Sequence, residues 1–239
     1  MSDTPDRATL HPFTWQGFLA GARAGLVLVP TLALYGFAFG VMSETKGLSA
    51  LEAALFAGVV YSGGAQMASL QAWADPLPLL AVVLTTAAMN ARYLLMGATL
   101  RSWYAALPAW QSYGSLFFMG DANWALALRE QRAGRTDAAF MVGTGLSMWF
   151  IWVPATLAGH SFGALLGDPE RLGIDFLIAA FFAAIAVTFF RAGGATALPL
   201  VVGVVVAVSV ERLAPGPWYM MAGALAGSIV GGLRHVPRS

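Results

Sequence analysis

The sequence has few charged residues and no cysteine. Only 10% of its 239 residues are Asp, Glu, Lys or Arg and 58% are hydrophobic, whereas soluble domains carry about 25% charged residues. A chain this poor in charge cannot cover a water-exposed surface, so the composition predicts an integral membrane protein. The absence of cysteine excludes disulfides, thiolate metal sites and a cysteine nucleophile. The formal net charge of +1 argues against a nucleic-acid partner, which requires a clustered basic face.

Apolar stretches with few charges predict an all-α, polytopic helix bundle. A membrane-spanning helix needs roughly 20 apolar residues. Eight stretches approach that length: residues 24–43, 53–74, 76–100, 113–128, 138–159, 172–190, 192–210 and 213–233. The second and seventh are the weakest because glycine, proline or short length interrupts them. We therefore predict about seven to eight transmembrane segments, one or more of them broken, in a single domain at 23–235 that follows a polar tail at 1–22.

The arginines predict the orientation of the chain, because cytoplasmic loops carry an excess of Lys and Arg. The tail lacks the basic-then-apolar order of a cleaved signal peptide. With eight crossings and a cytoplasmic N-terminus, the arginine-rich run at 129–135 lies inside, whereas Lys46, Arg101, Arg171 and Arg212 lie outside. We therefore predict a cytoplasmic N-terminus.

Several charged residues near the ends of these stretches have structural explanations. Ser49 and Glu52 have the Ser-x-x-Glu spacing of a capping box, which satisfies free amides at a helix start. Asp175 follows Arg171 by one helical turn at the start of a segment, where an acidic residue is favourable. Arg191 precedes two glycines and is typical of a helix end. None of these residues requires a functional role.

Arg92 and Asp121 lie inside apolar stretches and need a different explanation. Arg92 precedes Arg101 by about 13 Å along a helix, so the two guanidinium groups cannot comfortably reach the same interface. Asp121 has no charged neighbour over 102–120 or 122–128. A charge near the bilayer centre costs roughly 2.5–3.5 kcal/mol on insertion scales, and such residues are usually functional. Two explanations stay open: a role in a transport pathway, or an ion pair that only orders the bundle.

The segment at 61–66 (YSGGAQ) interrupts another apolar stretch. Its two adjacent glycines cost about 2 kcal/mol of helix propensity, which favours a broken helix. Amides freed at a break can hold a carboxylate and freed carbonyls an ammonium group, an arrangement that suits an amino acid. Close helix packing through small residues is the alternative explanation. If the break exists, Ser62, Gly63, Gly64 and Gln66 are the candidate solute-binding residues.

The residue inventory argues against several other functions. The only lysine, Lys46, precedes Gly47 and lacks the Gly-Lys-Ser/Thr order of a phosphate-binding loop. His160 is the only histidine outside the tails, and a single histidine does not make a metal site. We therefore predict no metal, no cofactor and no catalytic residue. An intramembrane hydrolase with Ser62 or Ser147 as nucleophile, and an assembly subunit that transports nothing, are the alternatives.

Five short motifs occur in a fixed order between about residues 20 and 160. They are P-x4-Y-G-x-A-F-G from Pro30, F-A-G-x2-Y-S-G-G-A-Q from Phe56, M-N-A-R-Y-x3-G from Met89, F-M-G-D from Phe118 and a W-x2-W pair from Trp149. Their joint order resembles the AzlC family of bacterial branched-chain amino-acid permeases. The hydrophobic pattern agrees with that family to the C-terminus.

The resemblance implies a permease subunit in the bacterial plasma (inner) membrane that exports branched-chain amino acids with a small AzlD-type membrane partner. The family often has an aspartate at the position of Asn90 and an acidic residue at that of Ala122. In our interpretation the break at 61–66 offers backbone and amide contacts to the solute. Arg92 holds either the solute carboxylate or Asp121. Asp121 carries the proton if transport is coupled to protons. Asn90 and Arg92 point nearly opposite ways on an ideal helix, so both face one cavity only if that helix is irregular.

Overall fold

The computed structural model describes residues 13–74, 76–105, 107–166, 183, 187, 194–213 and 218–234. Regular secondary structure in these ranges is helical throughout, as predicted. The predicted segment at 172–190 falls almost entirely outside them, as do Asp175, Arg191 and residues 1–12 of the predicted tail. The chain separates into two compact units. Unit 1 is Met1–Leu70 with Asn90–Gly167, and unit 2 is Gln71–Met89 with Asp168–Ser239. The single domain at 23–235 stays a prediction.

The helices in the described ranges follow one another with short connections. A π-helical turn, Phe56–Val60, directly continues the helix that ends at Leu55. The helices are α1 (Trp15–Leu26), α2 (Val29–Thr45), α3 (Ala50–Leu55), α4 (Gly63–Gln71), α5 (Leu79–Asn90), α6 (Arg92–Thr99), α7 (Arg101–Tyr104), α8 (Ala109–Phe117), α9 (Asp121–Arg132), α10 (Ala139–Leu166), α11 (Gly194–Leu213) and α12 (Trp218–Leu233).

Helix α1 starts inside the stretch predicted as a polar tail. The Thr14 side chain caps it by accepting a hydrogen bond of 3.0 Å from the Gly17 amide, which satisfies one of the free amides of the first turn. Helices α1 and α2 are bent by 67° at the junction between them. Pro30 lies in the first turn of α2, where proline is tolerated because the amide it lacks has no helical partner. The predicted first segment is therefore a bent helix pair.

Helix α10 is the centre of unit 1, and glycines let α1 and α2 approach it closely. A Cβ built on Gly21 would lie 2.1 Å from the carbonyl oxygen of Phe140, and one on Gly40 would lie 2.0 Å from that of Thr156. Gly143 on α10 has an equally close backbone neighbour on α1. Small residues at these positions permit the backbone contact that drives helix association in lipid.

The α1–α2 pair runs parallel to α10. Contacts at the two ends of α10 mark the direction: the Thr14 amide donates to Asp137 Oδ1 at 3.2 Å, and His160 Nε2 lies 2.7 Å from the Leu48 carbonyl oxygen. The chain before α1 and the chain before α10 are therefore at the same end of unit 1. The connection between α2 and α3 is at the other end.

Substituting Gly40 should destabilise this packing. We expect Gly40→Ala to cost about 1–3 kcal/mol, because the added Cβ meets the rigid backbone of Thr156 and over-packing of this kind is expensive. Gly114 in α8 is the matched control because a Cβ there meets nothing within 4 Å, so Gly114→Ala should be neutral or stabilise by about 0.5–1 kcal/mol. Thermal unfolding of the detergent-purified variants measures both. Equal melting temperatures for the two would contradict this packing.

The predicted number of membrane spans is not confirmed. Among the residues that the structure describes, two helices are long and apolar enough to cross a membrane, Leu79–Thr99 and Ala139–Leu165. The bent pair of α1 and α2 makes a third if it counts as one span. These correspond to the predicted segments 76–100, 138–159 and 24–43. The predicted segments 53–74 and 113–128 are each interrupted.

Residues 50–71 form a helical hairpin, here called hairpin 1, in place of one continuous helix. The Gln66 side chain reaches the carbonyl oxygens of Phe56 and Ala57 at 2.7 and 3.3 Å. In an unbroken helix, residues ten positions apart are about 15 Å apart, beyond the reach of a glutamine side chain. The chain therefore reverses at Tyr61, which has a positive φ of 42°, and brings the start of α4 back beside Phe56 and Ala57.

Residues 109–132 form a second hairpin, hairpin 2. Helix α9 runs parallel to α6 and α7, because Asp121 pairs with Arg92 and Gln131 bonds Ser102 at 2.6 Å. Helix α8 runs the opposite way, because Ser112 donates to the Tyr104 carbonyl at 3.3 Å while the later residue Leu116 lies beside Gly97. Helices α8 and α9 are therefore antiparallel.

The contact between Ser102 and Gln131 corrects the predicted topology at one point. Arg101 was expected on the opposite side of the membrane from the arginine-rich run at 129–135. The structure places Ser102, the next residue, against Gln131 within that run. Arg101 therefore lies at the same end of unit 1 as these arginines, because hairpin 2 returns the chain to the end from which it started.

In unit 2, α11 and α12 form an antiparallel pair. A Cβ built on Gly203 would lie 3.0 Å from the Gly223 carbonyl oxygen, and one on Gly227 would lie 3.0 Å from that of Pro199. The Tyr219 hydroxyl donates to Gln71 Oε1 at 3.0 Å. The predicted segments 192–210 and 213–233 correspond to these two helices.

Candidate transport site

The predicted helix break at 61–66 is present. The π-helical turn ends at Val60, Tyr61 takes a left-handed conformation, and α4 begins at Gly63. The buried residue Ser62 precedes α4, and its carbonyl accepts from the Gln66 amide at 2.8 Å. The first-turn amides of a helix have no intrahelical acceptor. Gly63 and Gly64 therefore present backbone donors at the positive end of the α4 dipole.

Side chains satisfy the carbonyls on the other side of the break. Gln66 Nε2 donates to Phe56 and Ala57, and Trp149 Nε1 donates to the Gly58 carbonyl at 3.0 Å. The amide nitrogen of Gln66 is thus committed to the backbone, which differs from the expected contact with a solute. Its Oε1 atom is buried without a hydrogen-bond partner in the described part of the chain.

Removing the Gln66 amide should loosen hairpin 1. Gln66→Met keeps the side-chain length but leaves the Phe56 and Ala57 carbonyls unsatisfied, which costs about 1–3 kcal/mol for a buried acceptor. Gln131→Met is the control, because Gln131 also donates through Nε2 but at an exposed position. We expect a lower melting temperature for the first variant and a change below about 0.5 kcal/mol for the second. Equal losses would contradict a structural role for the Gln66 amide.

Gly63 is also a close-packing position. A Cβ there would lie 2.8 Å from Tyr35 Cε1 and 3.2 Å from Trp152 Cη2. The rings of Tyr35 and Trp152 meet edge to face at a centroid distance of 5.2 Å. Both explanations offered for the glycines therefore apply, because Gly63 starts the second half-helix and lets two aromatic rings approach it.

Arg92 and Asp121 form an ion pair, with Arg92 Nη2 2.9 Å from Asp121 Oδ2. Neither side chain is buried in the protein, since 39% and 59% of their surfaces are exposed. The Arg92 guanidinium also lies 5.3 Å from the centroid of the Tyr93 ring. The pair is therefore accessible from outside the packed core of unit 1, which differs from an ion pair sealed inside the bundle.

Tyr93 links this ion pair to the helix break. Its hydroxyl donates to Ser62 Oγ at 3.2 Å, and it follows Arg92 in sequence. Tyr35 packs beside Gly63 at the start of α4. The sequence-predicted residues Ser62, Gly63, Arg92 and Asp121 are thus brought together.

Asn90 and Arg92 lie on either side of a one-residue turn. Asn90 ends α5, Ala91 is the turn, and Arg92 begins α6. Ala91 keeps right-handed helical dihedrals (φ −54°, ψ −29°), so the structure does not show the irregular helix that would let both side chains face one cavity. Asn90 Oδ1 and Arg92 Nε are buried atoms without a hydrogen-bond partner in the described residues. Polar atoms of this kind are available to a solute.

Asp121 is the first residue of a half-helix. Gly120 precedes α9, and its amide donates to Asn123 Oδ1 at 2.7 Å, while Asn123 Nδ2 donates to the Phe118 carbonyl at 2.6 Å. A carboxylate in the first turn is stabilised by the helix dipole. Asn123 is fully buried and shapes this break, and the sequence analysis missed it. Its hydrogen-bond partners in the turn, and not a local sequence pattern, identify it.

The hydroxyls proposed as alternative nucleophiles contact other groups. Ser62 Oγ accepts from Tyr93, Ser147 Oγ donates to the Thr144 carbonyl at 2.8 Å, and His160 Nε2 lies against Leu48. A serine nucleophile needs a base within hydrogen-bond reach. These contacts give no support to the hydrolase alternative. Groups of three or more potential metal ligands do not occur among the described residues.

Comparison with known proteins identifies the family. The sequence matches the AzlC protein family over residues 27–166, more than half of the chain and all of the candidate site. The chain belongs to the AzlC family. AzlC is a membrane transport family, so this is a transport-related membrane protein.

One curated relative extends the similarity beyond that range. The chain is 28% identical over 182 residues to the inner membrane protein YgaZ of Escherichia coli (strain K12), which covers 73% of this chain and 74% of YgaZ. No solved structure matches the chain.

Proposed function

We propose that the chain is a permease subunit that exports branched-chain or other small hydrophobic amino acids. The observation that carries this proposal is the convergence of an accessible ion pair, Arg92 with Asp121, on the start of α4 through the Tyr93–Ser62 hydrogen bond. Polar groups are expensive inside a membrane and mark solute pathways. A broken helix that offers free amides beside a cation suits a carboxylate.

In this proposal Arg92 and the amides at Gly63 and Gly64 bind the carboxylate of the solute. Asp121 and two oxygens without a hydrogen-bond partner in the described ranges, Gln66 Oε1 and Asn90 Oδ1, are acceptors for its ammonium group. Each oxygen accepts hydrogen bonds, as an ammonium group requires. The Arg92–Asp121 pair holds the two charges together while no solute is bound. When a solute binds, its carboxylate takes the place of Asp121 beside Arg92. Its ammonium group takes the place of Arg92 beside Asp121.

Asp121 is the proposed proton carrier, because it changes charge on protonation whereas Arg92 stays charged. The relative YgaZ supports an inner-membrane location. The position of Arg101 beside the run at 129–135 adds to the basic charge at the end of unit 1 that holds the N-terminus of α1. By the positive-inside rule that end is cytoplasmic. A small AzlD-type membrane subunit is the proposed partner.

Counterflow in proteoliposomes tests the function. Vesicles loaded with unlabelled leucine, valine or isoleucine should accumulate labelled leucine, whereas vesicles loaded with lysine should not. The chain is reconstituted with and without a co-expressed small partner. Exchange of none of the three amino acids under either condition would remove the substrate assignment. Exchange by the chain alone would exclude a subunit that only assists assembly.

A further inference from the structure

The tips of hairpin 1 and hairpin 2 meet on α10. The Tyr61 hydroxyl donates to the Gly145 carbonyl oxygen at 3.0 Å, and the Tyr61 and Phe118 rings are edge to face at 6.2 Å. A Cβ built on Gly145 would lie 2.4 Å from Phe118 Cβ. The two chain reversals, at Tyr61 and at 118–120, therefore pack against one glycine of the central helix.

The bases of the two hairpins lie at opposite ends of α10. Hairpin 1 follows Leu48, which contacts His160 near the C-terminal end of α10. Hairpin 2 ends at Arg132, and the chain then enters α10 through Asp137, which bonds Thr14. The distance along α10 from His160 to Gly145 is about 22 Å, so hairpin 1 reaches past the middle of this helix.

We propose that residues 50–71 and 109–132 are re-entrant hairpins that enter the membrane from opposite faces, and that their touching tips are the closed barrier of the transport path. The barrier role of the tips rests on the proposed transport function. The membrane arrangement of the hairpins does not depend on it. Half-helices whose N-termini point to the bilayer interior are tolerated where protein surrounds them. Ser62, buried among protein atoms, lies at that position.

The direction of α10 is compatible with this arrangement, as it is with two continuous spans in place of the hairpins. Because α1–α2 and α10 are parallel, the chain between them returns across the membrane an odd number of times. Leu79–Thr99 accounts for one crossing. The predicted segments 53–74 and 113–128 therefore contribute an even number of membrane crossings. Two hairpins that each enter and leave by the same face contribute none.

The neighbouring residues Arg92 and Tyr93 connect the two hairpins. Arg92 bonds hairpin 2 at Asp121 and Tyr93 bonds hairpin 1 at Ser62. A solute that binds Arg92 in place of Asp121 therefore breaks the contact of Arg92 with hairpin 2. The hydrogen bond from Tyr93 to Ser62 in hairpin 1 stays in place. This asymmetry permits one hairpin to open at a time, as alternating access requires.

Labelling of single cysteines tests the membrane arrangement, and the cysteine-free chain gives no background. The exposed positions Lys46, Ala74, Ala105 and Ala133 flank the hairpins. A membrane-impermeant maleimide is applied to right-side-out and inside-out vesicles. We expect Lys46→Cys and Ala74→Cys to be labelled from one face, and Ala105→Cys and Ala133→Cys from the other. Labelling of either pair from opposite faces would overturn the re-entrant arrangement, because a continuous span separates its ends.

Cross-linking tests the barrier. Joining Tyr61→Cys to Phe118→Cys with a short bis-methanethiosulfonate should reduce leucine counterflow at least tenfold, and dithiothreitol should restore it. The control joins Ser102→Cys to Gln131→Cys at the base of hairpin 2 and should leave counterflow within twofold. Unchanged counterflow with joined tips would overturn the barrier. If the reduced protein transports none of the three amino acids, the proposed function fails, and labelling still decides the hairpin arrangement.

Discussion

Arg92→Gln should reduce leucine counterflow at least tenfold and leave the protein folded. The substitution removes the only cation among the candidate site residues, so the solute carboxylate loses its charge partner. The ion pair with Asp121 is partly exposed, and exposed pairs contribute only about 0–1 kcal/mol to stability. Its loss should therefore appear in transport and hardly in the melting temperature.

Two further variants separate the charge of Arg92 from its shape. Arg92→Lys keeps the positive charge but not the planar fork that binds a carboxylate at two points, and we expect partial recovery. Arg135→Gln breaks the other ion pair of the described chain, with Glu130, and should transport normally. If Arg92→Gln retained wild-type exchange, Arg92 would have no part in binding the solute.

Asp121→Asn should abolish the part of transport that an imposed pH gradient drives. Asparagine keeps the size of the side chain but cannot gain or lose a proton, so net transport no longer moves one. Counterflow involves no net proton movement and should continue at a reduced rate. The measurement compares leucine accumulation with and without a pH gradient across the vesicle membrane in wild type and variant.

Glu130→Gln is the control for this pH experiment. Hydrogen bonds from the Arg135 guanidinium lower the pKa of Glu130 below its ordinary value, so this carboxylate stays charged at neutral pH and above. Its removal should leave the response to the pH gradient intact. A response of Asp121→Asn equal to that of wild type would remove Asp121 from proton coupling.

The sequence predicted the break in hairpin 1 and singled out Arg92 and Asp121, which the structure pairs, for definite physical reasons. Adjacent glycines in an apolar stretch are costly in a helix, and unpaired charges in lipid are costlier still. The capping box was equally readable: the Ser49 amide donates to Glu52 Oε2 at 2.8 Å, and the Glu52 amide donates to Ser49 Oγ at 3.3 Å. Each of these features is local, so residue type and spacing reveal it.

The fold-back of the two hairpins was not predicted, because hydropathy measures apolar length and not direction. A hairpin of two half-helices and a spanning helix both contain about 20 apolar residues. The deciding features are the positive φ of Tyr61 and the contact of Gln66 with Phe56. Both depend on tertiary structure. The predicted location of Arg101 was wrong for the same reason.

The residues that support the site were not predicted from the sequence. Tyr93 joins Ser62, and Asn123 ties the turn before α9 to its first residues. Neither is charged, and a tyrosine or asparagine in a membrane helix has several ordinary uses. Only their partners, which are distant in sequence or lie across a turn, identify what they do.

Equilibrium binding of radiolabelled leucine to the purified protein tests the central claim most directly, because binding requires neither a partner subunit nor an energy source. The account predicts saturable binding by wild type and by Arg135→Gln, competition by valine and isoleucine, and at least tenfold weaker binding by Arg92→Gln. Equal affinities of wild type and Arg92→Gln for leucine would contradict it.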